Sequence, residues 1–193
     1  MTSPLILASA SPRRTALLTQ VGIAHRVMPV DIDESPQCDE RPWDQVLRLA
    51  SEKASTAFTR LGEEKQNSVI LASDTLIALD GESIGKPADL SDSKRILLQL
   101  SGRTHDVLTA ISVKNADRQR NECIRTKVHF AELTEQQIEK YWTTGEPLDK
   151  AGSYAIQGIG GQFVKAIEGS ASAVIGLPLY ETIQLLNEFG VEK

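Results

Sequence analysis

Residues Leu5-Ile6-Leu7-Ala8-Ser9-Ala10-Ser11-Pro12-Arg13-Arg14 run from an apolar stretch through a small polar turn into a helix start. A short buried strand that feeds directly into a helix is the opening of an α/β fold. Ser11 suits the N-cap and Pro12 the first helical position. Leu17, Leu18 and Val21 give the helix an apolar face, and Gly22 is its stop signal. Arg13 and Arg14 are out of place in a first turn, where the helix dipole favours anions. A bound anion removes the conflict: free backbone N–H groups, the Ser9 and Ser11 hydroxyls and two guanidinium forks then converge on one phosphate-rich ligand. The alternative is two solvated arginines after a capped turn.

Further along, His25 to Pro29 reads as a strand and Asp31-Ile32-Asp33-Glu34-Ser35-Pro36 as a polar loop. A long helix is expected from Pro42 to near Gly62, with Trp43, Val46, Leu47, Ala50, Ala54, Ala57, Phe58 and Leu61 at helical spacing. Lys53 lies beside that stripe, so it either snorkels out or points into a polar cleft. Val69 to Ser73 reads as a buried strand with Asp74 at its end, where ligands of open α/β sheets gather. Thr75 to Leu79 continues extended into the turn Asp80-Gly81, and a second strand leads to Gly85-Lys86-Pro87. Ser91 to Leu100 reads as a helix. His105–Val113 and Cys123–Leu133 pair around an Asn115–Asn121 turn. Thr134 and Gln137 form a capping box for a helix ending near Gly145, and a last helix runs from Pro178 to before Gly190. The hairpin breaks simple βαβ order. The expected fold is therefore α/β, a mixed twisted sheet with flanking helices and a cleft.

A chain of 193 residues suffices for one sizeable core, and residues 1–193 are read as a single domain with two lobes. The net charge of −5 speaks against a sequence-independent hold on a nucleic acid polymer. Cys38 and Cys123 are too few for a disulfide framework and lack metal-site spacing with the three histidines. No apolar run has membrane-span length and no signal peptide is evident, which makes the cytoplasm the expected location.

Three groups of residues have chemistry to offer. Asp33, Glu34 and Asp74 are carboxylates of the type that hold Mg²⁺ or Mn²⁺ against phosphate oxygens, and one such group can activate water. Arg13, Arg14, Lys53 and Lys86 are cations that can stabilise a departing phosphate. Gln157-Gly158-Ile159-Gly160-Gly161 allows close backbone approach to a ligand. No helix pattern or acidic residue follows it as a dinucleotide fingerprint requires. A Walker loop and a Gly-x-Ser-x-Gly elbow are both absent.

The segments Ser9-Ala10-Ser11-Pro12-Arg13-Arg14, Ser73-Asp74-Thr75, Gly85-Lys86-Pro87, Ser101-Gly102-Arg103-Thr104-His105, Gly145 through Gly158 and Val174-Ile175-Gly176-Leu177-Pro178 occur in this order over nearly the whole chain. With them the sequence resembles the Maf family of nucleoside triphosphate pyrophosphatases. It departs at Ala110, where many members carry glycine. The resemblance implies two lobes around a deep cleft, as in inosine triphosphate pyrophosphatases, and cleavage between the α- and β-phosphates with a divalent cation. It implies Asp74 as the catalytic acid-base and Ser9, Arg13, Arg14, Glu34, Lys53 and Lys86 as polar cleft residues. Metal would fall to Asp74 and Glu34. A homodimer is common in similar proteins, although the sequence has no interface signature.

The family divides by base, and Arg13, Thr75 and Gln157 resemble the branch that prefers dTTP and UTP over 7-methyl-GTP. A glutamine amide offers the donor and acceptor that match a uracil edge, whereas glutamate only accepts. The rival readings are a 7-methyl-GTP pyrophosphatase on the same scaffold and a nucleotide-binding cell-division regulator with negligible turnover.

Overall fold

The computed structural model describes residues 4–191. β1 (Leu5–Leu7) passes into α1 (Pro12–Gln20), which is followed by β2 (Arg26–Val27) and α2 (Pro42–Arg60). β3 (Val69–Leu79), β4 (Glu82–Ile84) and α3 (Leu90–Leu100) come next. β5 (Thr104–Lys114), β6 (Gln119–Phe130) and α4 (Glu135–Trp142) lead to two 3-10 turns, Ala151–Ser153 and Ile159–Phe163. β7 (Val164–Glu168), α5 (Ala171–Ile175) and α6 (Leu179–Glu188) complete the described chain. The strands form one mixed sheet in the order β2-β1-β3-β5-β6-β7, with β4 paired to β3. The expected α/β class, with a mixed sheet and flanking helices, holds.

One detail of strand pairing creates the cleft. β5 covers one edge of β3 from Ile70 to Ala78. On the other edge, parallel β1 pairs only with Val69–Leu71 and antiparallel β4 only with Ile77–Leu79. Among the described residues, no strand therefore lies beside the edge from Ala72 to Leu76, which carries Asp74 and Thr75. Separate hydrophobic clusters lie to either side of this edge. Leu5, Leu7, Leu17, Leu18, Leu177 and Leu186 pack on the β1 side. Ile84, Ile96, Leu100, Phe130, Ile138 and Tyr141 pack on the β4 side.

α2 lies across the sheet on small residues. Ala50, Ala54 and Ala57 are fully buried, and Ala50 clusters with Ala78 and Ala110 of β3 and β5. Small side chains on both surfaces bring helix and sheet together, which lets Lys53 reach β3. Ala110 pairs directly with Asp74, so the departure from glycine adds a methyl group to this packed layer. Trp43, expected on the apolar stripe, is 40% exposed because it falls on the outer side of the first turn.

Several expected boundaries move. Asp74 is not at a strand end but in the middle of an eleven-residue strand, because β5 supplies partners well past Ser73. The His25–Pro29 strand contracts to Arg26–Val27, which pairs only with Ile6 and Leu7. The β5–β6 turn is tighter than Asn115–Asn121: the Asn115 side chain accepts from the backbone N–H groups of Asp117 and Arg118, and β6 starts at Gln119. β7 and α5 were not expected from the sequence. β7 is a half-exposed edge strand and α5 spans only five residues, too short for a periodic signal. The α4 capping box of Thr134 and Gln137 forms as read. Among the described residues, no helix is long and apolar enough to cross a membrane.

Candidate active site at the uncovered edge of the long strand

Successive residues of a strand face opposite sides of its sheet. Asp74 faces α2, while Thr75 faces α1 and α5. Because no strand covers this edge, a cleft of about 560 Å³ reaches both. That volume suits a nucleotide-sized ligand. Arg13, Arg14, Lys53, Lys86 and Lys150 line it against three carboxylates, Glu34, Asp74 and Asp149. Ile77, Ile84, Tyr154, Ile156, Val174 and Ile175 give it an apolar region.

On the α2 side, Lys53 Nζ lies 2.6 Å from Asp74 Oδ1 and 2.6 Å from Glu34 Oε1. The lysine points into the cleft and does not snorkel out. Burial pushes the Glu34 carboxyl up, but the hydrogen bond and charge of Lys53, with Lys86 and Arg14 beyond, hold it below the usual range. Two carboxylates thus converge on one cation position, and Asp74 Oδ2 has no partner among the described residues. Such a pair fits a hard divalent ion, which takes oxygen ligands. No cluster of three or more His, Cys, Asp or Glu residues suited to a metal occurs among the described residues. A metal held there would need further ligands from substrate or water.

Glu34 owes its place to Arg48, which sequence reasoning passed over. Arg48 of α2 donates to both oxygens of Glu40, at 2.6 and 2.8 Å, and to the Ser35 carbonyl at 3.1 Å. The bond to Arg48 holds the Glu40 carboxyl down at about 2. The loop bearing Glu34 is thereby fastened to the helix bearing Lys53. Asp33 does not join the cleft wall; its carboxylate accepts from Ser35 N–H in a local turn.

The opposite side is organised by Arg14. Its Nε donates to the Gly176 carbonyl at 2.8 Å, Nη1 to Ser9 Oγ at 3.1 Å and Nη2 to Thr75 Oγ1 at 3.4 Å. Thr109 Oγ1 donates to the Ala173 carbonyl at 2.7 Å, so the 3.0 Å contact between Thr75 and Thr109 has Thr75 as donor. A directed chain therefore runs from Arg14 through Thr75 and Thr109 to α5. Burial lowers the Arg14 pKa, Asp74 opposes this and Arg13 adds to it. Ser9 is buried beneath Arg14, where it also accepts from Ser11 N–H at 3.2 Å. Ser11 does occupy the N-cap position, but its hydroxyl makes no capping bond and no acidic residue stands in the first turn. The first N–H groups of α1 are thus left for an anion, with exposed Arg13 beside them.

Gln157 lines the cleft, but the glycines after it do not serve a ligand. A Cβ at Gly158 would meet Glu146 Oε2 at 2.1 Å, one at Gly160 the Tyr141 hydroxyl at 2.5 Å, and one at Gly161 the Ile156 carbonyl at 2.5 Å. These glycines let the backbone fold onto Glu146, Tyr141 and itself, which corrects the expected ligand approach.

Tyr154 of the cleft wall rests on His105, whose Nε2 lies 2.8 Å from the Tyr154 hydroxyl. Burial pushes the His105 pKa down to about 4, and Nδ1 is buried without a partner among the described residues. The unfolded chain binds this proton near pH 6.5 and the folded chain only near 4, so stability falls as pH drops through that window. Urea unfolding should show about 2 kcal/mol lost from this residue between pH 7 and pH 5. His105→Gln should flatten the slope, and an unchanged slope would contradict a buried neutral imidazole.

The described site can be set beside known proteins. The chain is 51% identical over 185 residues to a Vibrio parahaemolyticus protein named dTTP/UTP pyrophosphatase, covering 96% of each chain. A Pseudoalteromonas atlantica protein of the same name is 47% identical over 187 residues, with 97% of each covered. A third with that name, from Shewanella oneidensis, is 48% identical over 193 aligned positions, covering 97% of this chain and 98% of the relative. The family model described as Maf-like protein matches residues 4–189, and the chain belongs to that family.

Proposed function

We propose that this protein hydrolyses dTTP and UTP to the nucleoside monophosphate and pyrophosphate, with Asp74 acting on the attacking water. The observation that carries this reading is the convergence of Glu34, Asp74 and Lys53 at the uncovered edge of β3, with Arg13 and Lys86 facing the same space. The names of the similar proteins support the substrate class. The proposed location is the cytoplasm, where the nucleotide pool is used.

The triphosphate docks toward the uncapped first turn of α1, where Arg13 meets it. Arg14 holds the Ser9 turn, Thr75 and the Gly176 loop in register with three of its five N–H donors, and its remaining two are left for the phosphates. Asp74 keeps Oδ1 on Lys53 and takes the proton of a water at Oδ2 as the water attacks the α-phosphorus in line. Charge then develops on the oxygen leaving with pyrophosphate, and Lys53 and Lys86 stabilise it. Glu34 and Asp74 are the residues that would hold Mg²⁺ or Mn²⁺, which when bound neutralises phosphate charge. The donor and acceptor of the Gln157 amide suit a uracil or thymine edge, and Thr75 and Arg13 line the same cleft.

Protein stripped with a chelator should release no pyrophosphate from UTP until Mg²⁺ or Mn²⁺ is restored. Glu34→Gln should raise the Mn²⁺ needed for half-maximal rate, and Mn²⁺ bound in the presence of a non-hydrolysable UTP analogue should weaken in parallel, by roughly tenfold. Full turnover in excess chelator would contradict metal use. Rapid release from 7-methyl-GTP with little from UTP would instead retain the reaction and overturn the base assignment.

A further inference from the structure

Neither Glu146 nor Tyr141 lines the cleft, yet together they hold the segment that carries Gln157. The Tyr141 hydroxyl donates to Glu146 Oε1 at 2.6 Å and accepts from Ala155 N–H at 3.2 Å. Glu146 accepts from Ile159 N–H at Oε2 and from Gly160 N–H at Oε1, both at 2.8 Å. One carboxylate thus has three donors, and the clamp grips the backbone on both sides of Gln157. Between these grips the chain makes a tight turn, with Gly158 N–H donating to the Ala155 carbonyl at 3.3 Å. The Gln157 side chain has no hydrogen-bond partner among the described residues. The backbone beneath it therefore sets where this exposed side chain starts and what part of the cleft its amide can reach. The close approaches at Gly158 and Gly160 show how tightly that backbone is drawn onto the clamp.

We propose that Glu146, acting through Tyr141 and the backbone of residues 155–160, is a positioning residue that sets where the Gln157 amide meets the base and so fixes the base preference of the cleft. The proposal rests on the reading that Gln157 faces the base. Paired hydrogen bonds discriminate only while donor and acceptor are both in register with the base edge. Glu146→Gln keeps one acceptor oxygen but turns an amide NH2 toward a backbone donor, so part of the clamp opens. A carboxylate with a merely structural role would, on removal, lower stability and slow all nucleotides alike.

The test is steady-state pyrophosphate release from UTP and GTP by wild type, Glu146→Gln, Tyr141→Phe, Gln157→Ala and the Glu146→Gln/Gln157→Ala double variant. Glu146→Gln should raise KM for UTP by about tenfold, with kcat changed by less than about threefold, and should erode the UTP-to-GTP preference by a similar factor. Tyr141→Phe should move the preference the same way by less. The double variant should be no less selective than Gln157→Ala alone, because the clamp acts through that side chain. If Gln157→Ala loses selectivity while Glu146→Gln keeps it, the clamp proposal falls and the reading of Gln157 stands. If Gln157→Ala keeps wild-type selectivity, that reading falls and the proposal with it. Equal loss of kcat for both nucleotides in Glu146→Gln also overturns the proposal. Should Glu146→Gln fail to fold, Tyr141→Phe decides by the same ratio.

Discussion

Asp74→Asn is expected to lower kcat on UTP by roughly a thousandfold, within the range that loss of a positioned general base commands. The substitution keeps an oxygen for the Lys53 ammonium, which now lies 2.6 Å from Oδ1, so the packing of α2 on β3 should survive. What it removes is the carboxylate proposed to accept the proton of the attacking water. Thermal unfolding of the variant should stay near wild type, and UTP should still bind. Turnover and metal dependence equal to wild type would show that Asp74 is not the base.

Arg14→Lys is expected to fail on two counts. The guanidinium spans Ser9, Thr75 and Gly176 with three separate N–H donors. A lysine ammonium is a single point that cannot reproduce this fork. At least one buried acceptor would lose its charged donor, a loss of about 2–4 kcal/mol in urea unfolding. The Ser9 turn, Thr75 and the loop after α5 would lose their common anchor, so kcat/KM on UTP should fall by about a hundredfold. Full activity with full stability would mean that the Arg14 bonds neither support the fold nor align the site. Arg13→Lys is the informative control. Arg13 is exposed and has no ion pair among the described residues, so its replacement should leave stability unchanged.

Local signals were legible wherever a residue acts within its own element. The Thr134–Gln137 capping box, the α2 stripe through Ala50, Ala54 and Ala57, and the strand-to-helix entry at Ser11-Pro12 are properties of adjacent residues, and periodicity reads them directly. The candidate site was legible in its charges: Glu34, Lys53, Asp74, Lys86, Arg13 and Arg14 all reach one cleft. Its division of labour was not. That Arg14 is occupied in holding three partners depends on Gly176, 162 residues away, a contact that no spacing encodes. Glu146 was invisible for a similar reason, since a lone acid after a glycine carries no pattern until Tyr141 and Gly160 are folded against it. The gap between β1 and β4 is likewise a consequence of strand register, which the sequence of β3 alone does not contain.

A reaction run in H₂¹⁸O with UTP, metal and wild-type protein, followed by mass analysis of both products, tests the central claim most directly. In the proposed reaction water activated by Asp74 attacks the α-phosphorus, so ¹⁸O should appear in UMP and the pyrophosphate should stay unlabelled. Label in the pyrophosphate, or release of inorganic phosphate and UDP, would contradict the placement of the α-phosphate against the uncovered edge of β3.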